Sequence, residues 1–237
     1  MKLYQYSLAC MLGLGILASC ADRLDLVNPN QQTSGSFGYT IDDLEESVIA
    51  AYNHIRIEGT YARTGYTIDM TRGDEVWNSS QQWYLSFDDL NVPFTDGITF
   101  WPWRDWYYTI NACNFIISRC GEDDSQLSER MKYVKGQALF LRGLSYYNLA
   151  GYYQNPPLIT DYDNYSTLET IYVPNSSYDA VLDQVESDFK DAMGMLPSRD
   201  EGGEWASGRA TCGSAAGYYA RTLMVRHKFT EALTVLE

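Results

Sequence analysis

The chain has 237 residues, 45% of them hydrophobic, and a formal net charge of −14 at pH 7. A surface this acidic repels nucleic acid and anionic lipid, which excludes binding that depends on a basic patch. With five cysteines, two histidines and no Cys-x-x-Cys, the sequence offers neither a disulfide framework nor a Cys/His metal site, so we predict no metal and no cofactor.

The N-terminus has the layout of a secretory signal: Lys2, an apolar stretch at 8–18, and small residues at a cleavage point. The stretch is shorter than the about 20 residues that a membrane-spanning helix needs. It ends in Leu17-Ala18-Ser19-Cys20, which resembles the lipobox of bacterial lipoproteins. We predict a signal peptide at 1–19 and acyl chains, palmitate among them, that anchor Cys20 to a membrane. The alternative is an ordinary signal peptide with a chance cysteine.

The polar stretch at 20–38 is predicted to be a tether between the lipid and the fold. A first helix follows, with Thr40 as its N-cap and Gly59 at its end. Residues 60–98 show no clear period and are predicted to form a long irregular segment. Long loops inside compact domains are usually functional or disordered, and the aromatic content here argues against disorder.

Apolar residues at steps of three and four predict five further helices. They run from Thr99 to Arg119, from about Ser125 to Asn155, from Ser176 to Pro197, from Thr211 to His227 and from about Thr230 to Glu237. Strand signals are scarce, the best being Leu158-Ile159 and Ile171-Tyr172-Val173. The sequence therefore predicts an all-α fold over 39–237, built from helix pairs with long irregular loops.

The last two predicted helices fit the tetratricopeptide pattern, in which small residues lie where two helices approach closely and large residues fill the groove between them. Ala220 and Ala232 take the small positions, and Leu223 and Leu236 take the large ones. Any tight helix hairpin needs similar sizes, so the pattern supports a helix pair more than a specific family.

Three segments carry a family resemblance. They are Trp103-x-x-x-Tyr107-x-x-Ile110-x-x-x-Asn114, the run from Gly136 to Leu149 that leads to Tyr152-Tyr153-Gln154-Asn155-Pro156-Pro157-Leu158-Ile159, and Asp188-Phe189-x-x-Ala192 with Leu196-Pro197 and Gly208-Arg209-Ala210-Thr211. In this order and spacing they are similar to the SusD/RagB family of Bacteroidetes outer-membrane lipoproteins. The resemblance covers essentially the whole chain after the predicted signal peptide.

The resemblance implies a tetratricopeptide-like, SusD-like α-superhelical scaffold that displays loops for a nutrient ligand, usually an oligosaccharide or polysaccharide, without catalysis. It also implies a partner, a SusC-like TonB-dependent transporter, and a lipid-anchored position in the outer membrane that faces the cell exterior. Family members are longer, so we expect this chain to be the N-terminal portion of a truncated or fragmentary member.

The densest candidate binding surface lies at 72–84, where aromatic rings alternate with charged and amide side chains. Sugars present apolar C–H faces and a rim of hydroxyls, so their sites need aromatic planes and hydrogen-bonding groups. We predict Trp77, Trp83 and Tyr84 as stacking platforms, with Arg72, Asp74 and Asn78 as hydrogen-bonding partners. The alternative is that Trp77 and Trp83 are core residues that anchor a long loop.

Other aromatic residues are predicted to be mainly structural. Trp103 and Tyr107 match the family motif and are expected in the core, whereas Trp101 and Trp106 are expected either at the surface or against a neighbouring element. The tyrosines are predicted to pack between helices, with their hydroxyls on polar partners; they are Tyr146, Tyr147, Tyr152 and Tyr153. Arg142, mid-helix among apolar residues, is predicted to pair with a carboxylate inside the fold.

The sequence thus predicts a cell-surface lipoprotein that binds nutrient glycans and delivers them to a SusC-like transporter. The alternatives are the same role for peptides, a tetratricopeptide-type adaptor for proteins, and a glycosidase. A glycosidase needs two carboxylates across a sugar groove, and the adjacent pairs Asp74-Glu75 and Asp88-Asp89 rarely face one cleft from opposite sides. No Ser-His or Cys-His arrangement is visible, so we predict that the chain is not an enzyme.

Overall fold

The computed structural model describes residues 37–38, 40–74, 76–79, 82–93, 97–163, 172–203 and 207–237. Every regular element in these ranges is helical, and none of them is a strand. Cys20, the predicted signal peptide and most of the predicted tether lie outside the described residues, as do Glu75 and Ile171. Residues Gly38–Glu237 form one compact unit.

The predicted all-α fold is confirmed, and the long helices are where the periodicity predicts them. In chain order the helices are α1 (Ile41–His54), α2 (Thr64–Thr71), α3 (Gln82–Asp88), α4 (Phe100–Cys120), α5 (Glu129–Tyr153), α6 (Tyr178–Met195), α7 (Cys212–Val225) and α8 (Phe229–Leu236). A π-helical turn lies at Glu58–Ala62, and 3-10 turns lie at Gly97–Thr99 and Asp124–Gln126. The six predicted helices correspond to α1 and α4 to α8, with ends that differ by a few residues.

Local capping chemistry explains several of the helix ends. Thr40 begins α1 with a capping box: its hydroxyl accepts from the N–H of Asp43 at 3.1 Å, and the Asp43 carboxylate accepts from the N–H of Thr40 at 3.2 Å. Gly121, with φ of 88°, ends α4. The sequence predicts that α6 starts at Ser176, whereas its N-cap is Ser177, whose hydroxyl accepts from the N–H of Ala180 at 3.2 Å.

Helix α5 is the centre of the fold. It is buried on all sides from Val134 to Tyr146, and it packs against α4 on one side and α6 on the other. Two glycines let α6 approach: a Cβ on Gly136 would lie 3.0 Å from the Leu196 side chain, and one on Gly143 would lie 3.1 Å from Asp188 Cβ. The start of α5 therefore faces the end of α6, which makes this helix pair antiparallel.

A buried polar network confirms the prediction for Arg142. Its Nη2 and Nε donate to the two carboxylate oxygens of Asp188 on α6 at 2.7 and 2.9 Å. Its Nη1 donates to Asn114 Oδ1 on α4 at 3.0 Å, so one side chain joins three helices. Burial alone would lower the pKa of Arg142, but the Asp188 carboxylate reverses the effect and raises it.

The weak strand signal at Leu158-Ile159 does not produce a strand, because side chains rather than a second strand take up the backbone hydrogen bonds there. Asn114 Nδ2 donates to the Ile159 carbonyl at 2.7 Å, and the Tyr107 hydroxyl donates to the Pro157 carbonyl at 2.7 Å. The Ser176 hydroxyl accepts from the N–H of Leu158 at 3.1 Å. This extended segment is thus held by α4, by α5 and by the chain entering α6.

The prediction of an irregular segment at 60–98 is also wrong in part, because α2 and α3 lie within it. Each has eight residues or fewer, so each presents too few turns for a periodic apolar stripe. They are held together by a small separate core of Ile68, Tyr84, Phe87 and Ile98. This cluster explains why a segment without visible periodicity is ordered.

Of the aromatic residues at 101–108, Trp106 is the most deeply buried. It is 0% exposed and meets the Tyr61 ring edge-on at 5.3 Å between ring centroids. Trp103 and Tyr107 pack against the core but remain partly exposed, as does Trp101. Trp106 therefore packs on a neighbouring element rather than facing solvent.

The α7–α8 pair matches three of the four tetratricopeptide positions. Ala220, Leu223 and Ala232 are buried together between the two helices. Leu236, the fourth position, is 60% exposed. Across the described ranges, no helix has both the length and the apolarity that crossing a bilayer requires.

Candidate functional site

The predicted binding residues begin where α2 ends. Arg72 is the C-cap residue of α2, and the chain then passes exposed Asp74 and Trp77 before entering α3. The two tryptophans lie at the surface, with Trp77 77% exposed and Trp83 67% exposed. Neither is a core residue, so the interpretation of them as core anchors is wrong.

Tyr84 is placed differently from the predicted stacking residue. It is 2% exposed and packs in the small core beside Ile68, with its hydroxyl 3.3 Å from Thr64 Oγ1. Tyr84 and Phe87 lie three residues apart on the inward face of α3, whereas Trp83 points outward. Burial therefore removes Tyr84 from the surface that a ligand can reach, which corrects the prediction for this residue.

Asn78 is partly buried and serves the loop itself. Its backbone N–H donates to Asp88 Oδ2 at 3.4 Å, which ties the segment after α2 to the end of α3. This contact helps to fix the backbone next to Trp77.

A cleft of about 500 Å³ adjoins Arg72, and we call it the tyrosine cleft. It is formed by α2, α5, α7 and the π-helical turn, and its lining residues are Tyr61, Asp69, Arg72, Tyr147, Asn148, Gly151, Tyr152, Tyr218 and Arg221. Of the six predicted site residues, only Arg72 belongs to this lining. A volume of this size lies in the range of small-molecule sites.

Hydrogen bonds between side chains fix the walls of the tyrosine cleft. The Tyr152 hydroxyl lies 3.2 Å from Asp69 Oδ2 and donates to it, and Asn148 Nδ2 donates to the Tyr61 hydroxyl at 3.0 Å. Partial burial raises the pKa of Asp69, while the bond from Tyr152 and the charges of Arg221 and Arg72 oppose the rise. Burial likewise raises the pKa of Tyr152, so its hydroxyl stays protonated.

A second cleft of about 470 Å³ also adjoins Arg72. Its lining residues are Arg72, Phe87, Leu90, Val92, Pro93, Thr99, Tyr152 and Tyr153. The Tyr153 hydroxyl donates to the Thr99 carbonyl, which fixes one wall. Arg72 and Tyr152 line both clefts.

The sequence interpretation missed most of the tyrosine cleft. Tyr147 and Tyr152 were expected between helices, yet both line the cleft, and Arg221 had no predicted role. The available signal was the row of tyrosines and Asn148 on the last turns of α5, where burial gives way to partial exposure. This row of side chains becomes the wall of a cleft only because α2 and α7 pack beside α5.

The side chains that line the two clefts suit non-covalent recognition. Aromatic faces, guanidinium groups and an amide can orient a polar ligand that has apolar faces. Within the described ranges, no group of three His, Cys, Asp or Glu side chains could hold a metal ion.

The family model for SusD-like proteins, described as starch-binding and associating with the outer membrane, matches residues 22–224. The chain belongs to this SusD-like family. A search of curated proteins found none that matches the chain.

Solved SusD-like structures share the fold. A SusD-like protein from Bacteroides fragilis has a TM-score of 0.71 and 22% identity, over 86% of this chain and 38% of that one. A laminarin-binding SusD-like protein has a TM-score of 0.69 and 22% identity, over 82% of this chain and 42% of that one. Surface glycan-binding protein A from Bacteroides uniformis has a TM-score of 0.67 and 22% identity, over 83% of this chain and 45% of that one. The SusD-like chain therefore spans less than half the length of these structures.

Proposed function

We propose that this SusD-like chain is a cell-surface lipoprotein that binds nutrient glycans and delivers them to a SusC-like TonB-dependent transporter. The observation that carries the proposal is the pair of exposed tryptophans, Trp77 and Trp83, on the segment that leads away from Arg72 and its clefts. The family description and the names of two similar structures, which mention laminarin and surface glycans, point to the same ligand class.

Exposed tryptophan suits a carbohydrate ligand for a physical reason. A tryptophan left in water forgoes the favourable burial of a large apolar surface, so burial against a ligand recovers that free energy. The flat C–H face of a sugar ring covers an indole ring, while guanidinium and carboxylate groups such as those of Arg72 and Asp74 can bond its hydroxyls. The arrangement supports recognition without catalysis.

The proposed organisation places a signal peptide at 1–19, a lipid on Cys20, a tether at 20–38 and the helical domain at 39–237. A lipid on Cys20 would supply the outer-membrane attachment, and the tether would let the helical domain move while it stays beside the transporter. Replacing Cys20 with Ala is expected to release the protein from the membrane fraction. Membrane retention of that variant would contradict the anchor.

A glycan array probed with the full chain tests the ligand class. We expect binding to at least one glycan class, and we expect Trp83→Ala to weaken it about fivefold or more. Tyr172→Ala is the matched control, because Tyr172 is 84% exposed and lines neither cleft. Full binding by both Trp77→Ala and Trp83→Ala would contradict the proposed surface, and binding confined to printed oligopeptides would replace glycan with peptide.

Delivery to a transporter requires a stable or cycling complex. We expect the lipidated full chain to co-purify with a TonB-dependent transporter from outer-membrane extracts. Recovery of the chain without any such transporter, under conditions that keep its glycan binding, would contradict this part of the proposal.

A further inference from the structure

The tyrosine cleft brings together two arginines from distant parts of the chain. Arg72 follows α2, and Arg221 lies within α7, yet both line the same cleft and both are exposed. Among the described residues, neither guanidinium has a carboxylate oxygen within 4.0 Å, unlike those of Arg130, Arg142 and Arg226. No ion pair therefore takes up their N–H donors, and donors of both arginines can reach a ligand in the cleft.

Arg221 is positioned by an aromatic contact rather than by an ion pair. Its guanidinium carbon lies 5.4 Å from the centroid of the Tyr147 ring. Arg221 also makes a side-chain hydrogen bond to Tyr147, and because a guanidinium carries five N–H donors this bond leaves others for a ligand. The Tyr218 ring meets the Tyr147 ring edge-on at 5.9 Å between centroids, which fixes the supporting ring in turn.

The cleft contains one acidic side chain, Asp69, and that carboxylate is engaged. It accepts a hydrogen bond from Tyr152 at 3.2 Å, and the charges of Arg72 and Arg221 both act to lower its pKa. Two arginines against one aspartate leave the cleft formally positive, in a chain whose overall charge is −14. An anionic group is therefore favoured at this place and disfavoured over most of the remaining surface.

Resting on the proposed glycan-binding function, we propose that the tyrosine cleft binds an anionic sugar residue, with Arg72 and Arg221 on its charged group and tyrosine rings on its apolar face. A guanidinium bonds a carboxylate or a sulfate oxygen through charge-assisted hydrogen bonds, which are about twice as strong as neutral ones. A uronic acid and a sulfated sugar share this chemistry, and the experiment separates them. The cleft volume of about 500 Å³ suits one or a few sugar units.

Calorimetric titration of the full chain with three probes tests the proposal. The probes are an oligogalacturonide, the same oligosaccharide with its carboxyl groups reduced to alcohols, and a sulfated oligogalactan. We expect the uronide, the sulfated probe or both to bind about tenfold or more tightly than the reduced, neutral probe. Whichever anionic probe binds tightly identifies the charged group.

Substitutions of the two arginines test whether the preference for anionic probes depends on the tyrosine cleft. Arg221→Gln and Arg72→Gln are each expected to reduce the anionic preference about tenfold or more while leaving the thermal unfolding midpoint unchanged, since both side chains are exposed. Arg199→Gln is the matched control, because Arg199 is exposed and lies away from the cleft. It follows the end of α6, and that end packs against the start of α5, whereas Tyr147 lies near the end of α5. This variant carries the same change of charge. It is expected to bind like the unaltered chain.

The failure of this proposal differs from the failure of the proposed function. Equal affinity for the anionic and neutral probes, or an anionic preference that survives Arg221→Gln, would overturn the anionic site while Trp83-dependent glycan binding persists. Absence of binding to every glycan on the array, neutral and anionic alike, would overturn both.

Discussion

The hydroxyl of Tyr146 and the backbone of Ile159 exchange two hydrogen bonds. The hydroxyl donates to the Ile159 carbonyl at 2.9 Å and accepts from the Ile159 N–H at 2.7 Å. The same carbonyl also accepts from Asn114, so the N–H is the group that depends on Tyr146 alone. A side chain of α5 thus substitutes for a neighbouring strand and holds the extended segment against the helices.

Tyr146→Phe is expected to destabilise the protein by about 1–3 kcal/mol, because it leaves the Ile159 N–H without its partner. The free energy of unfolding in urea measures the loss. Tyr172→Phe, on a side chain 84% exposed, is the control and is expected to change stability by less than about 0.5 kcal/mol. Equal stability of the two variants would show that water or another group replaces the Tyr146 hydroxyl.

Arg142→Ala is expected to cost about 3–5 kcal/mol, because it leaves the buried Asp188 carboxylate without its counter-charge. Replacing both partners with apolar residues, Arg142→Met with Asp188→Leu, removes the uncompensated charge and is expected to recover most of that loss. Urea unfolding of the single and double variants measures the coupling. A double variant as unstable as the sum of the two single variants would contradict this account.

Gly59→Ala is expected to destabilise the π-helical turn by about 1–3 kcal/mol. Its Cβ would lie 2.6 Å from Asp105 Oδ2 and closer still to the Trp101 carbonyl oxygen, so the backbone must shift. Asp105 also accepts from the Gly59 N–H at 2.8 Å, and the shift would strain that bond. Gly217→Ala in α7, where a Cβ meets nothing within 4 Å, is the control and is expected to gain about 0.5–1 kcal/mol. Equal effects of the two substitutions would contradict the steric argument.

Asp69→Asn is expected to stabilise the protein at neutral pH. Burial raises the pKa of Asp69 above its usual value of 3.8, so the folded state binds the proton more tightly than the unfolded state. The resulting penalty on folding is absent below that usual value and develops as the pH rises through the folded pKa. Thermal unfolding from pH 3 to pH 7 should therefore show the two proteins converging at the acidic end, and a constant difference across the range would contradict the assignment.

The part of the fold that the sequence predicts is the part that short-range chemistry determines. Thr40 caps α1 through groups within three residues, as predicted, and α4 ends at Gly121 within two residues of its predicted end at Arg119. For Arg142 the sequence predicted the type of partner but not its identity, because Asp188 lies 46 residues further along the chain.

The candidate site was harder to predict because it depends on orientation and on tertiary packing. Trp83 and Tyr84 are neighbours of similar chemistry, yet one faces solvent and the other the small core. Only the orientation of α3 against α2 separates them, and a helix of seven residues carries little sign of that orientation in its sequence. Arg221 joins the cleft through packing of α7 on α5, which no local pattern records.

The two residues that both clefts share, Arg72 and Tyr152, have a consequence for ligand length. A short oligosaccharide fits one cleft, whereas a longer one has to pass these two side chains to occupy both. Affinity would then rise in two steps as sugar units are added. Because Asp69 holds the Tyr152 hydroxyl, this part of the passage is already in place, and selection by chain length would not require Tyr152 to move.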